Sequence, residues 1–303
     1  MTVLSKTLVV ISGPTASGKT DIAIQLAQHY KTVIVSADSR QFYREMCIGT
    51  AKPTVEELTQ AKHFFINSHS ITENFTAGNY EKECLSLLTT LFTDHDRVIM
   101  VGGSGLFLKA VCEGLDEFPT INTETREMLN NKLKNDGLQS LQEKLKTADP
   151  EYYAQVDINN PQRVIRALEV FESRGKPFSA YRKSNPKERP FNVIKLGINL
   201  SREMLYQRIN QRVDDMILKG LVEEVRSLLP YRHFNSLNTV GYSELFDYFD
   251  GKTGLQSAVE LIKQNTRHYA KRQLTWFKKD KQITWKPAHL QELINYIDTV
   301  GVI

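Results

Sequence analysis

The sequence lacks an apolar run long enough to cross a membrane. Spanning a bilayer takes about 20 predominantly apolar residues, whereas the longest runs here, residues 8–11 and 98–101, are as short as single strands. The N-terminus also lacks the basic start, long apolar stretch and small-residue cleavage site of a secretory signal peptide, because residues 8–11 lead directly into a glycine-rich segment. We therefore expect a cytoplasmic protein that makes no contact with a membrane.

Cysteine is also scarce. The three cysteines, Cys47, Cys84 and Cys112, are odd in number and include no Cys-x-x-Cys pair. This pattern fits neither a disulfide framework nor a zinc site and favours a reducing compartment.

The composition is that of a globular protein. The chain has 303 residues, of which 41% are hydrophobic and 24% charged, which excludes a wholly disordered, collagen-like or coiled-coil protein. The net charge of +4 is unevenly distributed, because acidic residues predominate before residue 120 and basic residues after it. Residues 263–286 contain eight lysines and arginines but a single acid, Asp280. Such a cluster favours binding to a polyanion.

Periodicity divides the chain into two kinds of segment. Apolar, β-branched runs at residues 7–12, 32–36 and 97–101, with helical spacing after the first, predict a parallel sheet covered by helices. Between residues 122 and 189 only helical spacing is present. It predicts helices at residues 123–135, 138–147 and 161–174, with Gly137, Pro150, Pro161 and Gly175 at their boundaries. Strand character returns at residues 191–200. The sequence therefore predicts an α/β fold of the P-loop NTPase type in residues 1–120 and 190–303. It also predicts an all-helical insertion at residues 121–189.

A phosphate-binding loop follows the first predicted strand. The pattern Gly-x4-Gly-Lys-[Ser/Thr] is matched by Gly13, Pro14, Thr15, Ala16, Ser17, Gly18, Lys19 and Thr20. In such a loop, backbone N–H groups converge on phosphate oxygens, the lysine adds a positive charge, and the threonine hydroxyl is placed to bind Mg²⁺. The sequence thus predicts a site for a nucleotide such as ATP or for another ligand that carries a diphosphate group.

Other motifs limit the reactions that this loop could serve. The strand at residues 97–101 ends in Gly-Gly-Ser-Gly without the acidic residue of a motor ATPase, and the Asn-Lys-x-Asp pattern of GTPases is missing. The pair Asp214-Asp215 lacks the remainder of an Asp-Asp-x-x-Asp motif, which argues against all-helical prenyltransferase chemistry. A small-molecule or nucleotide kinase stays open.

Six ordered motifs resemble those of the tRNA dimethylallyltransferases. They are the loop at 13–20, ADSRQFY at 37–43 with IGTAKP at 48–53, GGSG at 102–105, NPQRVIRALE at 160–169, VGYSE at 240–244 and KRQLTWF at 271–277. The resemblance implies transfer of a dimethylallyl group from dimethylallyl diphosphate to N6 of the adenosine immediately 3′ of the tRNA anticodon. The chain departs from the family at Ser104, where threonine is usual, and at Cys47, where aspartate is common. It also ends without the zinc finger of eukaryotic relatives, as bacterial members do.

The resemblance also assigns roles to particular residues. Asp38 matches the family's catalytic aspartate, which would accept the proton of the adenine amine, and Ser104 would bond near that amine. Arg208 and Arg212 lie one helical turn apart, so both can face one site. The family favours Arg212 as a clamp on the diphosphate, beside the loop and Arg208. Mg²⁺ would bridge through Thr20.

An anticodon-loop adenosine has to leave its stack to react, so the enzyme needs a grip on the flanking RNA. Lys263, Arg267, Lys271 and Lys278 recur on one face of a predicted helix and form a basic stripe that could track phosphates. The residues expected to contact tRNA are Ser39, Arg40, Gln41, Gln162, Arg163, Val164, Ile165, Arg166, Gly241, Tyr242, Lys271, Arg272, Gln273 and Trp276.

The partners expected from these motifs are a tRNA anticodon stem-loop and dimethylallyl diphosphate, bound by a monomer. Three alternatives stay open. They are an adenylate isopentenyltransferase acting on free nucleotides, a P-loop kinase, and an RNA-binding protein without catalysis.

Overall fold

The computed structural model describes residues 6–119, 121, 123–182 and 185–301. Its sheet has six parallel strands in the order β3-β2-β4-β1-β5-β6. In chain order the strands are β1 (Thr7–Ser12), β2 (Ile34–Ser36), β3 (His63–Phe64), β4 (Arg97–Gly102), β5 (Asn192–Ile198) and β6 (Thr284–Lys286). The predicted α/β fold with a parallel sheet is confirmed.

Twelve α-helices occur in the described part of the chain. They are α1 (Lys19–His29), α2 (Val55–Gln60), α3 (Ala77–Asp94), α4 (Gly105–Glu113), α5 (Thr123–Ala148), α6 (Pro150–Gln155), α7 (Pro161–Arg174), α8 (Arg202–Leu218), α9 (Leu221–Ser227), α10 (Tyr242–Phe249), α11 (Leu255–Phe277) and α12 (Leu290–Val300). Among the described residues, none of the helices has both the length and the hydropathy needed to cross a bilayer.

The sheet is buried on both faces. Every residue of β1 is buried, as expected for a central parallel strand made of a continuous apolar run. One face packs against α3 and α4 through residues such as Tyr80, Leu88 and Val111. The other face packs against α1 and α12 through residues such as Leu26 and Ile297.

The chain divides into two compact units. One comprises Met1–Cys112 and Glu188–Ile303, and the other Glu113–Lys187, whereas the sequence placed the boundaries after residues 120 and 189. The described residues of the second unit form helices and no strand.

The second unit has its own core, in which α5 packs against α7 through Leu141, Leu145, Val164 and Leu168. Helix α5 is interrupted at Gly137, where φ is 78°, as its sequence predicted. Helix α7 has the predicted bounds because the Asn160 side chain caps its first N–H groups.

Candidate active site

The loop at residues 13–20 connects β1 to α1 at the carboxyl edge of the sheet. Gly18 precedes α1 with φ of 86°, a left-handed conformation that glycine adopts without steric cost. A β-carbon at Gly18 would also lie 3.4 Å from Nη1 of Arg208. The backbone therefore turns tightly beneath a guanidinium group, as a phosphate cradle requires.

Lys19 lies in this cradle, and no acidic side chain among the described residues is hydrogen-bonded to it. Its Nζ donates to the Pro14 carbonyl oxygen at 2.6 Å and to Ser17 Oγ at 3.5 Å. The pKa of Lys19 is lowered to about 7, chiefly by burial and next by the charge of Arg212, while the charge of Asp38 opposes the shift. Asp38 therefore offsets only part of the cost of burying the ammonium.

We expect Lys19 to take up a proton when a diphosphate binds. At pH 8 the amine, with its pKa of about 7, is mostly neutral in the free protein, and a bound diphosphate raises that pKa, so uptake should approach about one proton per site. At pH 6 the amine is already charged and uptake at Lys19 should be small. Calorimetry of pyrophosphate binding in buffers of different ionisation enthalpy measures this uptake.

Lys19→Arg is the matched control, because arginine stays charged throughout this pH range. Proton exchange by pyrophosphate itself is common to both proteins and cancels in the difference. Equal uptake by the two proteins at pH 8 would show that Lys19 is already protonated before the ligand binds.

The two predicted arginines of α8 both reach the loop. Arg212 Nη1 donates to Thr15 Oγ1 at 3.3 Å, and Arg208 stands over Gly18. Burial lowers the pKa of the Arg212 guanidinium, while Asp21, Asp38 and Glu57 oppose that shift. The cationic groups Lys19, Arg208 and Arg212 thus converge on one cradle, as the sequence predicted.

Asp38 follows β2 at the same edge of the sheet. Its Oδ1 accepts the backbone N–H of Arg40 at 3.0 Å, which fixes the side chain in a local turn. The charge of Asp38 raises the pKa values of Lys19, Arg212 and Tyr269. The carboxylate therefore lies between the phosphate loop and α11.

Ser104 connects the ends of β4 and β2. Its Oγ accepts the Ser39 N–H at 2.9 Å and donates to Ser39 Oγ at 3.1 Å. Tyr269 of α11 also hydrogen-bonds to Ser104, and burial, reinforced by Asp38, raises the pKa of this phenol to about 12. Serine thus places a hydroxyl beside Asp38 where the family usually has threonine. No role for Tyr269 was predicted from the sequence.

Gln273 was predicted to contact tRNA, but the structure buries its side chain to 6% exposure. Its Oε1 accepts the Thr15 N–H at 2.9 Å, and its Nε2 donates to the Gly103 carbonyl oxygen at 2.8 Å. Both ends of the amide are therefore engaged by the two loops of the site. This corrects the prediction, since a buried and paired amide has no group to offer to RNA.

Trp276, one turn further along α11, packs its indole ring against the backbone of Gly105 and remains 43% exposed. It therefore presents a fixed aromatic surface at the site, and its predicted contact with tRNA stays a prediction.

A cavity of about 400 Å³ opens between the segment after β2 and α11. Arg40, Glu244, Tyr269 and Arg272 contribute to its walls. Arg40 Nη2 donates to the Asn238 carbonyl oxygen at 3.4 Å, which holds its guanidinium at the cavity wall. Two guanidinium groups and an aromatic ring are suited to a nucleotide with its phosphate.

Three other residues predicted to contact tRNA have buried side chains. Val164 and Ile165 have no exposed surface and lie in the core of the helical unit. Tyr242 is also fully buried, and its hydroxyl donates to Glu224 Oε1 at 2.6 Å. These predictions are wrong for the side chains, because the motifs that contain them combine exposed positions with core positions.

The neighbouring predicted positions of α7 are more open. Gln162 and Arg163 are exposed. Arg166 is 41% exposed and lies 3.4 Å from Glu169, which Arg126 also approaches to 2.9 Å. The RNA contacts predicted for these three residues stay predictions.

The basic stripe of α11 is shorter than the spacing suggested. Lys263 pairs with Asp214 at 2.8 Å and Glu260 at 3.1 Å, and Arg267 donates to Asn210 Oδ1 at 2.6 Å. Both are engaged because α8 packs along this part of α11. Lys271, Arg272 and Lys278 are exposed.

Gln41, predicted to position the adenine, is instead bonded within the protein. Its Oε1 accepts from Ser36 Oγ at 3.2 Å, and its Nε2 donates to the carbonyl oxygens of Thr50 and Ala51 at 3.3 and 3.1 Å. The amide thus connects the end of β2 to the segment around residue 50.

A phosphate cradle after the central strand, with two arginines above it and a carboxylate at the end of a neighbouring strand, defines an α/β protein of the P-loop NTPase type. Residues 41–280 match the family described as IPP transferase. The chain belongs to this family.

Similar proteins cover nearly the whole chain. A tRNA dimethylallyltransferase of Christiangramia forsetii is 52% identical over 282 residues, which are 93% of each chain. The tRNA dimethylallyltransferase 1 of Phocaeicola vulgatus is 47% identical over 296 residues, 97% of this chain and 99% of the other.

Solved structures agree with this fold. The tRNA isopentenylpyrophosphate transferase of Bacillus halodurans is 34% identical with a TM-score of 0.72, and the match covers 98% of this chain and 97% of that one. A eukaryotic dimethylallyltransferase, described as acting on tRNA, is 25% identical with a TM-score of 0.77, covering 97% of this chain and 76% of that one.

Proposed function

We propose that the protein transfers the dimethylallyl group of dimethylallyl diphosphate to N6 of the adenosine immediately 3′ of the anticodon in tRNAs, releasing diphosphate. Membership of the IPP transferase family supports this proposal, as do the names of the similar proteins. The observation that carries it is the position of Asp38, a carboxylate beside a cradle of Lys19 and Arg212. A cradle and a proton acceptor together suit transfer to a weak nucleophile.

The cradle binds the leaving group. Loop N–H groups, Lys19, Arg208 and Arg212 lie where they can neutralise the charge that develops on the diphosphate as the C–O bond breaks. Thr20, the second residue of α1, adds a hard, partly exposed oxygen. That donor fits Mg²⁺, which binds through few protein oxygens and substrate phosphates, and the ion would add Lewis-acid stabilisation of the diphosphate.

Asp38 serves the nucleophile. The lone pair of an exocyclic adenine amine is delocalised into the ring, so attack becomes easier as the amine loses its proton. N6 forms the bond to carbon, the C–O bond breaks with its electron pair leaving on the diphosphate, and the amine proton passes to Asp38. Ser104, hydrogen-bonded to Ser39 and Tyr269, supplies a hydroxyl beside this carboxylate.

The RNA surface supports the choice of substrate. Lys271 and Arg272 are exposed on α11, and Arg272 also lines the cavity that Arg40 and Tyr269 line. Gln273 of α11 is hydrogen-bonded to the phosphate loop. The helix that would bind RNA is therefore in direct contact with the loop that would bind dimethylallyl diphosphate.

We expect Lys271→Ala combined with Arg272→Ala to weaken tRNA binding and to flatten its salt dependence. Each phosphate contact contributes about 0.7–0.9 to the slope of log K against log salt concentration, so two contacts should lower the slope by about 1.5. Lys82→Ala with Lys219→Ala removes two other exposed lysines and should leave the slope unchanged. An unaltered slope in the α11 variant would remove these residues from the RNA surface.

The reaction itself is tested by mass spectrometry. An anticodon stem-loop with adenosines at and beside the target position is incubated with the protein, Mg²⁺ and dimethylallyl diphosphate. We expect one five-carbon unit on the adenosine 3′ of the anticodon. Modification of free AMP instead, or phosphate transfer from ATP to a nucleotide or metabolite without prenylation, would overturn the proposal.

A further inference from the structure

Residues 38–52 carry Asp38 but have little regular structure. The segment consists of turns, with a single isolated bridge between Tyr43 and His69. Backbone hydrogen bonds to residues 67–69 hold residues 41–44. Residues 47–49 lie beyond this pairing, so the turn that they form depends on side chains that bind its backbone. Two such side chains stand out, Gln41 within the segment and Glu224 of α9.

The Glu224 carboxylate accepts four hydrogen bonds at one end of the segment. Its Oε2 accepts the backbone N–H groups of Cys47 at 3.0 Å and Ile48 at 2.7 Å. Its Oε1 accepts the N–H of Gly49 at 3.0 Å and the hydroxyl of Tyr242 at 2.6 Å. Three consecutive N–H groups converging on a carboxylate form an anion-binding turn, and here the anion is supplied by the protein.

The Tyr242 ring fixes the same turn from its other side. A β-carbon at Gly49 would lie 2.6 Å from this ring, so the backbone packs directly on the aromatic surface. Burial and the Glu224 carboxylate both raise the pKa of the Tyr242 phenol, which keeps its proton available for the hydrogen bond. Ring and carboxylate together define where the turn at residues 47–49 lies.

The turn is linked back to the strand that precedes Asp38. Gln41 donates to the carbonyl oxygens of Thr50 and Ala51, directly after the turn, and accepts from Ser36 at the end of β2. Displacement of the turn would therefore shift the Gln41 side chain, and Gln41 lies only three residues after Asp38. The path from Glu224 to Asp38 thus alternates hydrogen bonds with short stretches of backbone, residues 49–51 after the turn and residues 36–38 from the end of β2.

We propose that Glu224 is a positioning residue for the transfer reaction, acting through the turn at residues 47–49 and Gln41 to fix Asp38 against the phosphate cradle. The proposal rests on the proposed transferase function. Glu224 does not touch the cradle, so its loss should alter the placement of the base more than the binding of the donor.

The test compares Glu224→Gln with Glu223→Gln. The amide has a single oxygen, so it cannot accept from all the donors that the carboxylate binds. Because a misplacement of about 1 Å can cost up to 100-fold in rate, we expect kcat to fall by about tenfold or more, with the KM for dimethylallyl diphosphate within about twofold of the unsubstituted protein. Glu223 is the exposed neighbour, and its substitution should change neither.

Cys47 provides a second readout that does not depend on catalysis. Its thiol is exposed, whereas Cys84 and Cys112 are buried, so an aromatic disulfide reagent should label Cys47 first. Release of the turn in Glu224→Gln should raise the labelling rate several-fold, and Cys47→Ser identifies the signal. If the unsubstituted protein transfers no prenyl group, the labelling rate still tests the anchor by itself.

Two results would overturn the proposal. One is an unchanged labelling rate in folded Glu224→Gln. The other is faster labelling with an unchanged kcat, which would make the anchor purely structural. Should Glu224→Gln fail to fold, Tyr242→Phe removes only one donor and keeps the ring over Gly49, and a smaller change in the same two quantities is expected. No change in either quantity for folded Tyr242→Phe would then also reject it.

Discussion

Replacing Asp38 with alanine should lower kcat by about 100-fold or more, the usual contribution of a positioned general base, while tRNA binding stays nearly unchanged. Asp38 lies between the phosphate cradle and Tyr269. At that position its carboxylate can accept the amine proton, so its loss should slow the chemical step. Single-turnover transfer to an anticodon stem-loop gives the rate of the chemical step, and the salt-controlled affinity for the same RNA gives binding.

Asp38→Asn separates proton acceptance from loop structure. An asparagine oxygen can still accept the Arg40 N–H that Asp38 Oδ1 accepts at 3.0 Å, but the amide cannot take up the amine proton. We expect both variants to lose activity to a similar extent. Full activity in Asp38→Asn would mean that the side chain only shapes the turn, and another group would have to accept the proton.

The second large effect is expected at Gly102, the last residue of β4. A β-carbon there would lie 2.3 Å from the Ala37 carbonyl oxygen, which cannot retreat because the Ala37 N–H bonds to the Val101 carbonyl oxygen at 2.7 Å. Gly102→Ala should therefore lower the free energy of unfolding by about 3 kcal/mol or more, at the upper end of overpacking effects. Urea unfolding followed by circular dichroism measures this loss.

Gly254→Ala is the control for this substitution. Nothing lies within 4 Å of a β-carbon at Gly254, and its φ of −77° is accessible to alanine, so the change in stability should stay within about 1 kcal/mol. A stability of Gly102→Ala equal to that of Gly254→Ala would show that the ends of β2 and β4 are further apart than described.

The sequence predicted well those elements whose signals are local. Helix α7 begins and ends where Pro161 and Gly175 indicated, because helix starts and stops depend on neighbouring residues. The phosphate loop was found for the same reason. By contrast, α3 and α12 were not assigned, although Thr76 forms a capping box with Asn79 at the start of α3 and could have marked it.

Contacts between segments that are distant in sequence could not be predicted from local sequence patterns. Gln273 and Tyr242 belong to motifs that also contain exposed residues, and only packing shows that their side chains face the protein. Glu224 lies 175 residues from Gly49, whose N–H it accepts, and an acid on an amphipathic helix gives no sign of such a partner. Tyr269 had no predicted role, because its link to Ser104 depends on the approach of α11 to the end of β4.

The bonds of Gln273 also bear on how the protein is made. The Thr15 N–H is synthesised 258 residues before the amide that accepts it, an interval of roughly 13–52 s at about 5–20 residues per second. During that time β1, the loop and α1 can form, but the loop lacks its acceptor from α11. The residues of the phosphate loop are contiguous in sequence, but its conformation also depends on a side chain near the other end of the chain. We therefore expect the loop to lose this geometry in an N-terminal fragment or when grafted onto another sheet.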